Sequence, residues 1–273
     1  MASLELTSVR SPRVKSARRL AKRAFRQQDR RFLAEGPQAV REALDLDGGL
    51  VELYATAEAE ARHTDLIVRA EKAGVQVLRV SGEVMAELAQ TVTPQGLLAV
   101  CAFLDVPLGV ALRGTPKLVT VLSHVRDPGN AGTVLRASDA AGADSVIFTD
   151  ASVDPYNGKC VRASAGSLFH LPIVTGPRFD TLIPSLKAAG LTVLAADGAG
   201  TQTLDDLQDS GALAQPTAWV FGNEAWGLPE EILSHVDNVV RVPIHGRAES
   251  LNLAAAAAVC LYASARSQRA AVQ

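Results

Sequence analysis

Three short segments in the second half of the chain concentrate polar side chains that could do chemistry. They run from Asp127 to Arg136, from Phe221 to Leu228 and from Val242 to Asn252, and each coincides with the end of an apolar stretch. A guanidinium group stabilises negative charge that develops on an oxygen, and amides, hydroxyls and carboxylates can hold that guanidinium in place. Ligands of parallel sheets bind at the ends of the strands, so the three segments are candidates for one functional site.

The first segment predicts a strand, a turn and a helix. Residues 118–125 are apolar and predict the strand, and a Pro-Gly pair indicates the turn. Asn130 is suited to cap a helix that runs to about Ala141 and ends before a glycine. Arg136 falls on this helix among small and apolar residues. Taken alone, it is also explained as an arginine whose stem packs while its charged end stays in water.

The second and third segments each join a strand to a helix. Gly222 ends a predicted strand, where a glycine permits close approach of the backbone to a flat ligand, although an ordinary turn before Pro229 explains the same residues. In the third segment a strand over 239–244 leads to a helix that begins through 249–252. Ser250 is suited to cap that helix.

Taken together and in this order, the segments resemble the three signature motifs of the SpoU/TrmH family, which comprises RNA ribose 2′-O-methyltransferases of the SPOUT superfamily. The resemblance implies S-adenosylmethionine as the cofactor and a deep trefoil knot in the C-terminal domain, against the general rule that chains are not knotted. It implies that the catalytic residues are Arg136, Asn130, Glu224, Ser250 and Asn252. It implies that the cofactor-binding residues are Gly222, Val242 and Leu251. Departures from the family pattern are mild: Asp127 stands where asparagine is frequent, and Val242 where isoleucine is frequent.

Under this resemblance Arg136 acts at the ribose 2′-hydroxyl, and Glu224 ties it in place through a charge-assisted bond. A guanidinium group has a pKa above ~12 and does not readily lose its proton. We therefore interpret Arg136 as a group that orients the hydroxyl and stabilises the oxyanion, with a substrate phosphate sharing the proton. Ser250 and Asn252 are expected to position it.

The first hundred residues predict a small α/β domain. Strands are expected over 31–35, 50–55, 75–80 and 97–103, and helices over 37–46, 58–73 and 83–90. The stretch is similar to the ribosomal-protein-like substrate-binding domain of the rRNA-modifying branch of the family, through residues 31–36, 40–43 and 93–96. We predict an RNA-binding domain over 1–103, a linker over 104–116, where proline and glycine interrupt the pattern, and a knotted methyltransferase domain over 117–273.

The second half of the chain predicts a buried, mostly parallel sheet. Its apolar runs alternate with helical stretches and lie at 118–125, 145–148, 192–196, 218–221 and 239–244. Ligands of such sheets bind beyond the carboxyl ends of the strands, where all three polar segments fall. The fold class is therefore α/β throughout.

Basic residues cluster near the N-terminus although the formal net charge is only −2. Between Arg10 and Arg31 the single acid is Asp29. A solvated helix face is the ordinary explanation of a charge run, but clustering of one sign on this scale favours contact with RNA phosphates. The predicted RNA-binding residues here are Arg10, Arg13, Lys15, Arg18, Arg19, Lys22 and Arg23. Lys159 and Arg162 are added from a segment that family members also carry, which a solvated loop would explain too.

Other kinds of site find no support in the sequence. A G-x-G-x-x-G motif with an acidic ribose anchor does not occur, and the histidines and cysteines lack metal-ligand spacing, so no metal is expected. Cys101, Cys160 and Cys260 are expected to be buried, reduced thiols. The longest apolar run, 253–263, is shorter than the ~20 residues that span a bilayer. We expect a cytoplasmic protein without a membrane segment.

The expected partner is RNA, with rRNA of the 23S type favoured because the simplest tRNA-modifying relatives lack an N-terminal domain. A tRNA ribose methyltransferase and a non-catalytic RNA-binding protein that assists ribosome assembly are the alternatives. Family members generally pair through their C-terminal domains, and the apolar 251–262 helix offers a face for such pairing. A homodimer is therefore expected.

Overall fold

The computed structural model describes residues 5–223 and 225–271. The chain forms two compact units, each built from two pieces of sequence. Unit 1 combines the residues up to Leu104 with Tyr156–Phe169, and unit 2 combines Asp105–Pro155 with the residues from His170 onward. The segment 156–169 thus lies in unit 1, outside the contiguous range drawn from the sequence.

The first part of the chain contains six helices and four strands among the described residues. The helices are α1 Pro12–Arg19, α2 Arg23–Asp29, α3 Pro37–Leu44, α4 Ala57–Arg62, α5 Thr64–Lys72 and α6 Gly82–Leu88. The strands are β1 Arg31–Glu35, β2 Leu50–Ala55, β3 Gln76–Arg79 and β4 Leu97–Ala102, in the order β1-β4-β2-β3. Strand β4 is antiparallel to β1 and β2, whereas β2 and β3 are parallel.

The single helix expected over 58–73 is wrong, because the chain breaks at His63 into α4 and α5. His63 has non-helical angles, and the hydroxyl of Thr64 donates to the carbonyl of Glu60 at 3.1 Å. A threonine hydroxyl that competes for a backbone acceptor in this way favours a helix boundary.

From residue 105 onward the chain adds seven further α-helices and seven strands among the described residues. The helices are α7 Leu108–Ala111, α8 Pro128–Ala141, α9 Gly158–Ala163, α10 Phe179–Ala188, α11 Leu204–Asp209, α12 Glu230–Leu233 and α13 Leu253–Ala270. The strands are β5 Leu118–Leu122, β6 Ser145–Phe148, β7 Ile173–Thr175, β8 Thr192–Ala196, β9 Gln202–Thr203, β10 Thr217–Phe221 and β11 Asn238–Arg241. Helix α9 belongs to unit 1 and all the others to unit 2. Helix α7 lies in the predicted linker.

Unit 2 has a seven-stranded sheet in the order β7-β6-β5-β10-β8-β11-β9, and its strand pairs are parallel. Strands β5 and β10 are fully buried, as expected for a sheet covered on both faces. Two predicted strands end earlier than expected. Strand β5 stops at Leu122 because His124 takes the left-handed φ of 59°, and β11 stops at Arg241, just before Pro243, which has no N–H to donate.

The caps of the two helices nearest the polar segments differ from the prediction. Asp127, not Asn130, caps α8, and its Oδ1 accepts the backbone N–H of Asn130 at 2.8 Å. Asn252, not Ser250, caps α13, where its Oδ1 accepts the N–H of Ala254 at 2.9 Å. Asparagine, aspartate and serine are equally good N-cap residues. Residue type alone therefore did not predict which of the neighbouring polar residues caps each helix.

Unit 1 is completed by the segment 156–169. The ring of Tyr156 stacks on Phe103 at a centroid distance of 3.9 Å and lies 4.9 Å from Phe32. Its hydroxyl accepts the backbone N–H of Leu104 at 2.8 Å. Both Tyr156 and Phe32 are buried, so this segment supplies part of the core of unit 1.

No helix in the part of the chain that the structure describes is long and apolar enough to cross a membrane.

Candidate active site

A cavity of about 250 Å³ lies at the carboxyl ends of β8, β10 and β11, which are neighbours in the sheet of unit 2. Its apolar lining includes Phe221, Trp226, Val240, Val242, Ile244, Leu251 and Leu253, and its polar lining includes Asp197, Asn223, Glu249 and Ser250. The three residues predicted to bind the cofactor, Gly222, Val242 and Leu251, all line this cavity. An apolar slot with a few polar groups is the usual form of a small-molecule site.

Gly222 lets the turn after β10 fold back against its own strand. A Cβ at this position would lie 2.5 Å from the carbonyl oxygen of Gly227 and 2.7 Å from Cγ of Leu228. The turn is closed by two backbone hydrogen bonds of 2.9 Å between Asn223 and Gly227. The glycine therefore shapes the wall of the cavity, and the space that it leaves is filled by this turn.

Asp197, which the sequence analysis did not single out, connects the end of β8 to the same turn. Its Oδ1 accepts the N–H of Ala199 at 2.9 Å, and its Oδ2 accepts the N–H of Leu228 at 3.4 Å. Asp197 could have been predicted as a site residue from the sequence, because it directly follows an apolar strand at the edge where ligands of such sheets bind.

A side-chain hydrogen bond joins the first polar segment to the third. Nδ2 of Asn252 donates to Oδ1 of Asn130 at 3.2 Å, while Oδ1 of Asn252 caps α13. Asn252 therefore uses both ends of its amide, one on the helix and one on Asn130, and this fixes the amide plane of both residues. Ser250, two residues earlier, is exposed and lines the cavity.

Arg136 lies on α8, six residues after Asn130, which corresponds to a rise of about 9 Å along the helix axis. It is exposed, and its guanidinium has no hydrogen-bond or ion-pair partner among residues 5–223 and 225–271. Glu224, the partner expected from the sequence, lies outside the described residues. An exposed, charged guanidinium can contact an incoming anionic group.

The predicted RNA-binding residues of the N-terminal stretch lie on and beside α1 and α2, and they divide into two groups. Arg13, Arg18 and Arg19 face carboxylates of unit 1: Arg13 is 3.7 Å from Glu52, Arg18 pairs with Glu87, and Arg19 pairs with Asp29 at 2.6 Å. The second group is exposed and has no ion pair within the described residues; it consists of Arg10, Lys15, Lys22 and Arg23.

Arg26, in the same basic run, has a structural role. It is only 3% exposed, and its Nη1 donates to the carbonyls of Leu20 at 2.9 Å and Ala21 at 2.8 Å. These bonds satisfy backbone acceptors at the end of α1.

Lys159 and Arg162 lie on α9 in unit 1. Lys159 is exposed, and Nη1 of Arg162 lies 3.8 Å from Oε2 of Glu35. Their contact with RNA stays a prediction.

All three cysteines are buried and free of disulfides. Burial raises the pKa of the Cys260 thiol to about 12 and raises the pKa of the Cys101 thiol as well. Thiols of this kind are inert at neutral pH. Within the described ranges, no group of three or more histidine, cysteine, aspartate or glutamate side chains is placed to hold a metal ion.

Comparison with known families gives two matches that together span most of the chain. Residues 117–262 match the model of the SpoU rRNA Methylase family. Residues 11–99 match the model of the MRM3-like substrate binding domain.

Two curated relatives resemble this chain along most of its length. The 23S rRNA (guanosine(2553)-2′-O)-methyltransferase RlmP of Bacillus subtilis is 33% identical over 261 residues, covering 94% of this chain and 98% of the relative. The 23S rRNA (guanosine-2′-O-)-methyltransferase RlmB of Bordetella pertussis is 30% identical over 224 residues, covering 80% of this chain and 89% of the relative.

Solved structures show the same fold with a bound cofactor. The AdoMet-bound rRNA methyltransferase from Sinorhizobium meliloti has a TM-score of 0.82 at 31% identity and covers 97% of this chain and 98% of its own. The SpoU methyltransferase AviRb from Streptomyces viridochromogenes, in complex with AdoMet, has a TM-score of 0.82 at 26% identity and covers 96% of this chain and 100% of its own.

Proposed function

This chain belongs to the SpoU rRNA methylase family, and we propose that its substrate is rRNA of the 23S type and that the cavity beside Gly222 is its cofactor site. It is an S-adenosylmethionine-dependent RNA ribose 2′-O-methyltransferase. The observation that supports this cofactor site is that the three polar segments lie close together. The second and third line one cavity, and the Asn130–Asn252 bond joins the first to the third.

The residues of the cavity fit the chemistry of the cofactor. When bound, S-adenosylmethionine supplies an electrophilic methyl group. Phe221, Val242 and Leu251 give apolar surface for an adenine ring, and the carboxylates of Asp197 and Glu249 give hydrogen-bond acceptors for hydroxyl or amino groups. Gly222 belongs to this site because it sets the path of the turn that forms the wall.

Arg136 is the proposed catalytic residue for the ribose 2′-hydroxyl. A guanidinium keeps its proton at neutral pH, so its role is to orient the hydroxyl and to stabilise the charge that develops on the oxygen. Asn130, Asn252 and Ser250 are the proposed positioning groups around it, and Glu224 is the proposed partner of its guanidinium. The Asn130–Asn252 hydrogen bond supports this arrangement, since it links the start of α8 to the start of α13.

We assign substrate selection to residues 1–103 and the chemistry to residues 117–273, with 104–116 between them. The match of residues 11–99 to a substrate-binding domain supports this division. The deep knot that the resemblance implies for the C-terminal part, and a cytoplasmic location, are parts of the same proposal.

The experiment that tests the function compares ribose methylation in RNA from cells with and without this protein. We expect one 2′-O-methyl group in 23S-type rRNA to disappear on deletion and to return with the wild-type gene. Loss of a methyl group from tRNA alone would assign a tRNA substrate. Unchanged methylation of all RNA, together with binding of rRNA by the purified protein, would assign a non-catalytic role.

The exposed basic residues at α1 and α2 lead to a prediction on salt dependence. We expect the triple variant Lys15→Gln, Lys22→Gln and Arg23→Gln to weaken RNA binding about 10-fold or more near 100 mM salt. We also expect the slope of log affinity against log salt to fall by about 0.7 to 0.9 for each phosphate that the variant no longer neutralises. Filter binding or fluorescence anisotropy over a salt series measures both quantities.

The matched control changes the same charge at exposed positions elsewhere, as Arg62→Gln, Lys72→Gln and Arg113→Gln. If both triples lower the affinity and the slope equally, the effect comes from net charge, and the assignment of RNA binding to this stretch is wrong.

A homodimer through the C-terminal unit is also proposed. Val259 and Tyr262 lie three residues apart on α13 and are 44% and 53% exposed, and Leu251 before the helix is 40% exposed. Residues at this spacing share one helix face, and an exposed apolar face of this kind favours association.

Light scattering at micromolar concentration is expected to give twice the chain mass of 28.7 kDa. The double variant Val259→Glu and Tyr262→Glu is expected to give the monomer mass with an unchanged circular dichroism spectrum. A wild-type protein that stays monomeric at tens of micromolar contradicts the prediction.

A further inference from the structure

The two tryptophans of the chain have opposite environments. Trp219 is fully buried in β10, and its Nε1 donates to Oγ of Ser264 at 2.9 Å. Trp226 is 51% exposed and lies in the turn after β10, where it lines the cofactor cavity. An indole ring has a large apolar surface whose exposure is unfavourable, so an exposed tryptophan at the rim of an active site points to a ligand that covers it.

The structure holds this ring in place through the turn that carries it. Oδ1 of Asn223 accepts the N–H of Ala225 at 2.9 Å, and its Nδ2 donates to the carbonyl of His124 at 3.2 Å. The ring of His124 contacts Trp226 in an edge arrangement, with centroids 5.3 Å apart and planes at 72°. Rings positioned before binding lose little entropy when a ligand stacks on them.

His124 also has contacts that position its ring. It takes a left-handed φ of 59° two residues after the end of β5, and its Nδ1 lies 2.9 Å from the hydroxyl of buried Ser123. Strands β5 and β10 are neighbours in the sheet, so the two aromatic rings meet where the chain leaves two adjacent parallel strands. Ligands of parallel sheets bind at such an edge.

A second cavity, of about 610 Å³, opens on the side of His124. Its polar lining has both signs of charge: Arg178 pairs with Asp180 at 3.3 Å, Lys187 pairs with Asp237 at 2.7 Å, and Asp150 and Glu231 add carboxylates. Pro229, Ile232 and Ile183 give it apolar walls. A lining of donors, acceptors and apolar surface suits a nucleobase, which has a flat apolar face and an edge of donors and acceptors, better than it suits a phosphate.

We propose that Trp226, which lines the cofactor cavity, and His124, which contacts it and lines the larger cavity, form a stacking site for one unstacked nucleobase of the RNA substrate at the border of the two cavities. The proposal rests on the proposed function and adds to it a contact of the C-terminal unit with one base of the substrate, besides the selection assigned to residues 1–103. Proteins that recognise RNA by sequence act mainly on bases taken out of the helix and stacked on aromatic side chains. The site therefore favours single-stranded or looped RNA over a continuous duplex.

Intrinsic fluorescence tests the stacking directly and needs no turnover. Wild-type protein and the variant Trp226→Phe, which keeps buried Trp219, are titrated with a single-stranded oligoribonucleotide of mixed sequence, with its fully paired duplex, and with S-adenosylmethionine alone. We expect the single strand to quench the fluorescence of the wild type much more than that of Trp226→Phe. With the duplex or the cofactor, the difference in quenching between the two proteins is expected to be much smaller. Equal quenching of both proteins by the single strand overturns the proposal. Full quenching by the cofactor alone also overturns it, because the ring would then cover the cofactor's adenine.

Kinetics on the natural RNA give the second test. We expect Trp226→Ala to raise KM for RNA about 5- to 100-fold, the range for removal of one stacked base, and to change the Kd for S-adenosylmethionine by a much smaller factor, with an unchanged Tm. Trp226→Phe is expected to retain most of the affinity. His124→Asn is expected to have a smaller effect, because asparagine tolerates the left-handed backbone while it lacks the ring.

An unchanged KM in Trp226→Ala overturns the stacking site and leaves the proposed function intact. If the wild type does not methylate RNA but single-stranded RNA still quenches the fluorescence of Trp226 selectively, the proposed function fails and the stacking site stands.

Discussion

Arg136→Ala is expected to lower the single-turnover rate of methyl transfer by ~100-fold or more, the scale of removing one electrostatic interaction with the transition state. Arg136 is exposed on α8 and has no polar partner among the described residues, so its removal leaves no buried group unpaired. We therefore expect Tm and the affinity for S-adenosylmethionine to stay close to wild type. Rapid-quench methylation of the natural RNA measures the rate, and calorimetry measures the affinity.

Two further variants separate the role of Arg136 from its charge. Arg136→Lys is expected to restore only part of the rate, because lysine keeps the charge but lacks the planar fork that can contact two oxygens at once. Arg113→Ala removes an exposed arginine from the same unit and is expected to have no effect on the rate. A wild-type rate in Arg136→Ala removes this residue from the chemistry.

Gly222→Val is expected to weaken the binding of S-adenosylmethionine by ~10-fold or more, which is about 1.4 kcal/mol or more and falls within the range of about 1 to 3 kcal/mol that overpacking costs. Even the Cβ of the new side chain falls 2.5 Å from the carbonyl of Gly227. The turn from Asn223 to Gly227 has to move, and with it the wall of the cofactor cavity. Calorimetric titration of the cofactor measures the change in affinity.

Gly198 offers a matched control, because it lines the same cavity and a Cβ there meets nothing within 4 Å. Gly198→Ala is expected to bind the cofactor with nearly wild-type affinity, whereas Gly222→Ala is expected to lie between wild type and Gly222→Val. Circular dichroism and thermal unfolding establish that each variant is folded. Wild-type affinity in a folded Gly222→Val would mean that the turn yields without changing the cavity.

The α/β fold class and most strands of the sheets could be predicted from the sequence, because a strand buried on both faces is a run of apolar residues. Strands β1, β2, β6 and β8 have the predicted bounds. The ends of β5 and β11 could not be predicted from apolar pattern, since apolar residues continue past the point where His124 and Pro243 change the backbone.

For the site, the sequence predicted which residues lie close together but not which hydrogen bonds they make. Gly222, Val242 and Leu251 line one cavity, and Asn130 contacts Asn252 across 122 positions of sequence. The capping roles given to Asn130 and Ser250 were wrong, because Asp127 and Asn252 compete for the same backbone groups with equal chemistry. The catalytic assignments themselves stay predictions.

The placement of α9 in unit 1 had no local signal. Which sheet a short helix packs on depends on residues distant in sequence, here on Phe32 and Phe103 against Tyr156. A fragment that starts at Thr115 would carry Tyr156–Phe169 without the strands on which that segment packs, so it is a poor model of the C-terminal unit.

This two-piece construction also determines the order of events during synthesis. A ribosome adds about 5 to 20 residues per second, so several seconds separate the emergence of Leu104 from that of Tyr156. Throughout that interval the nascent N-terminal unit lacks Tyr156, and the rings of Phe32 and Phe103 lack the ring that packs on them. Strand β5, helix α8 and strand β6 are translated before this partner arrives. Folding on the ribosome therefore interleaves the two units, and a pause in translation between residues 104 and 156 leaves an incomplete aromatic core exposed to other nascent chains.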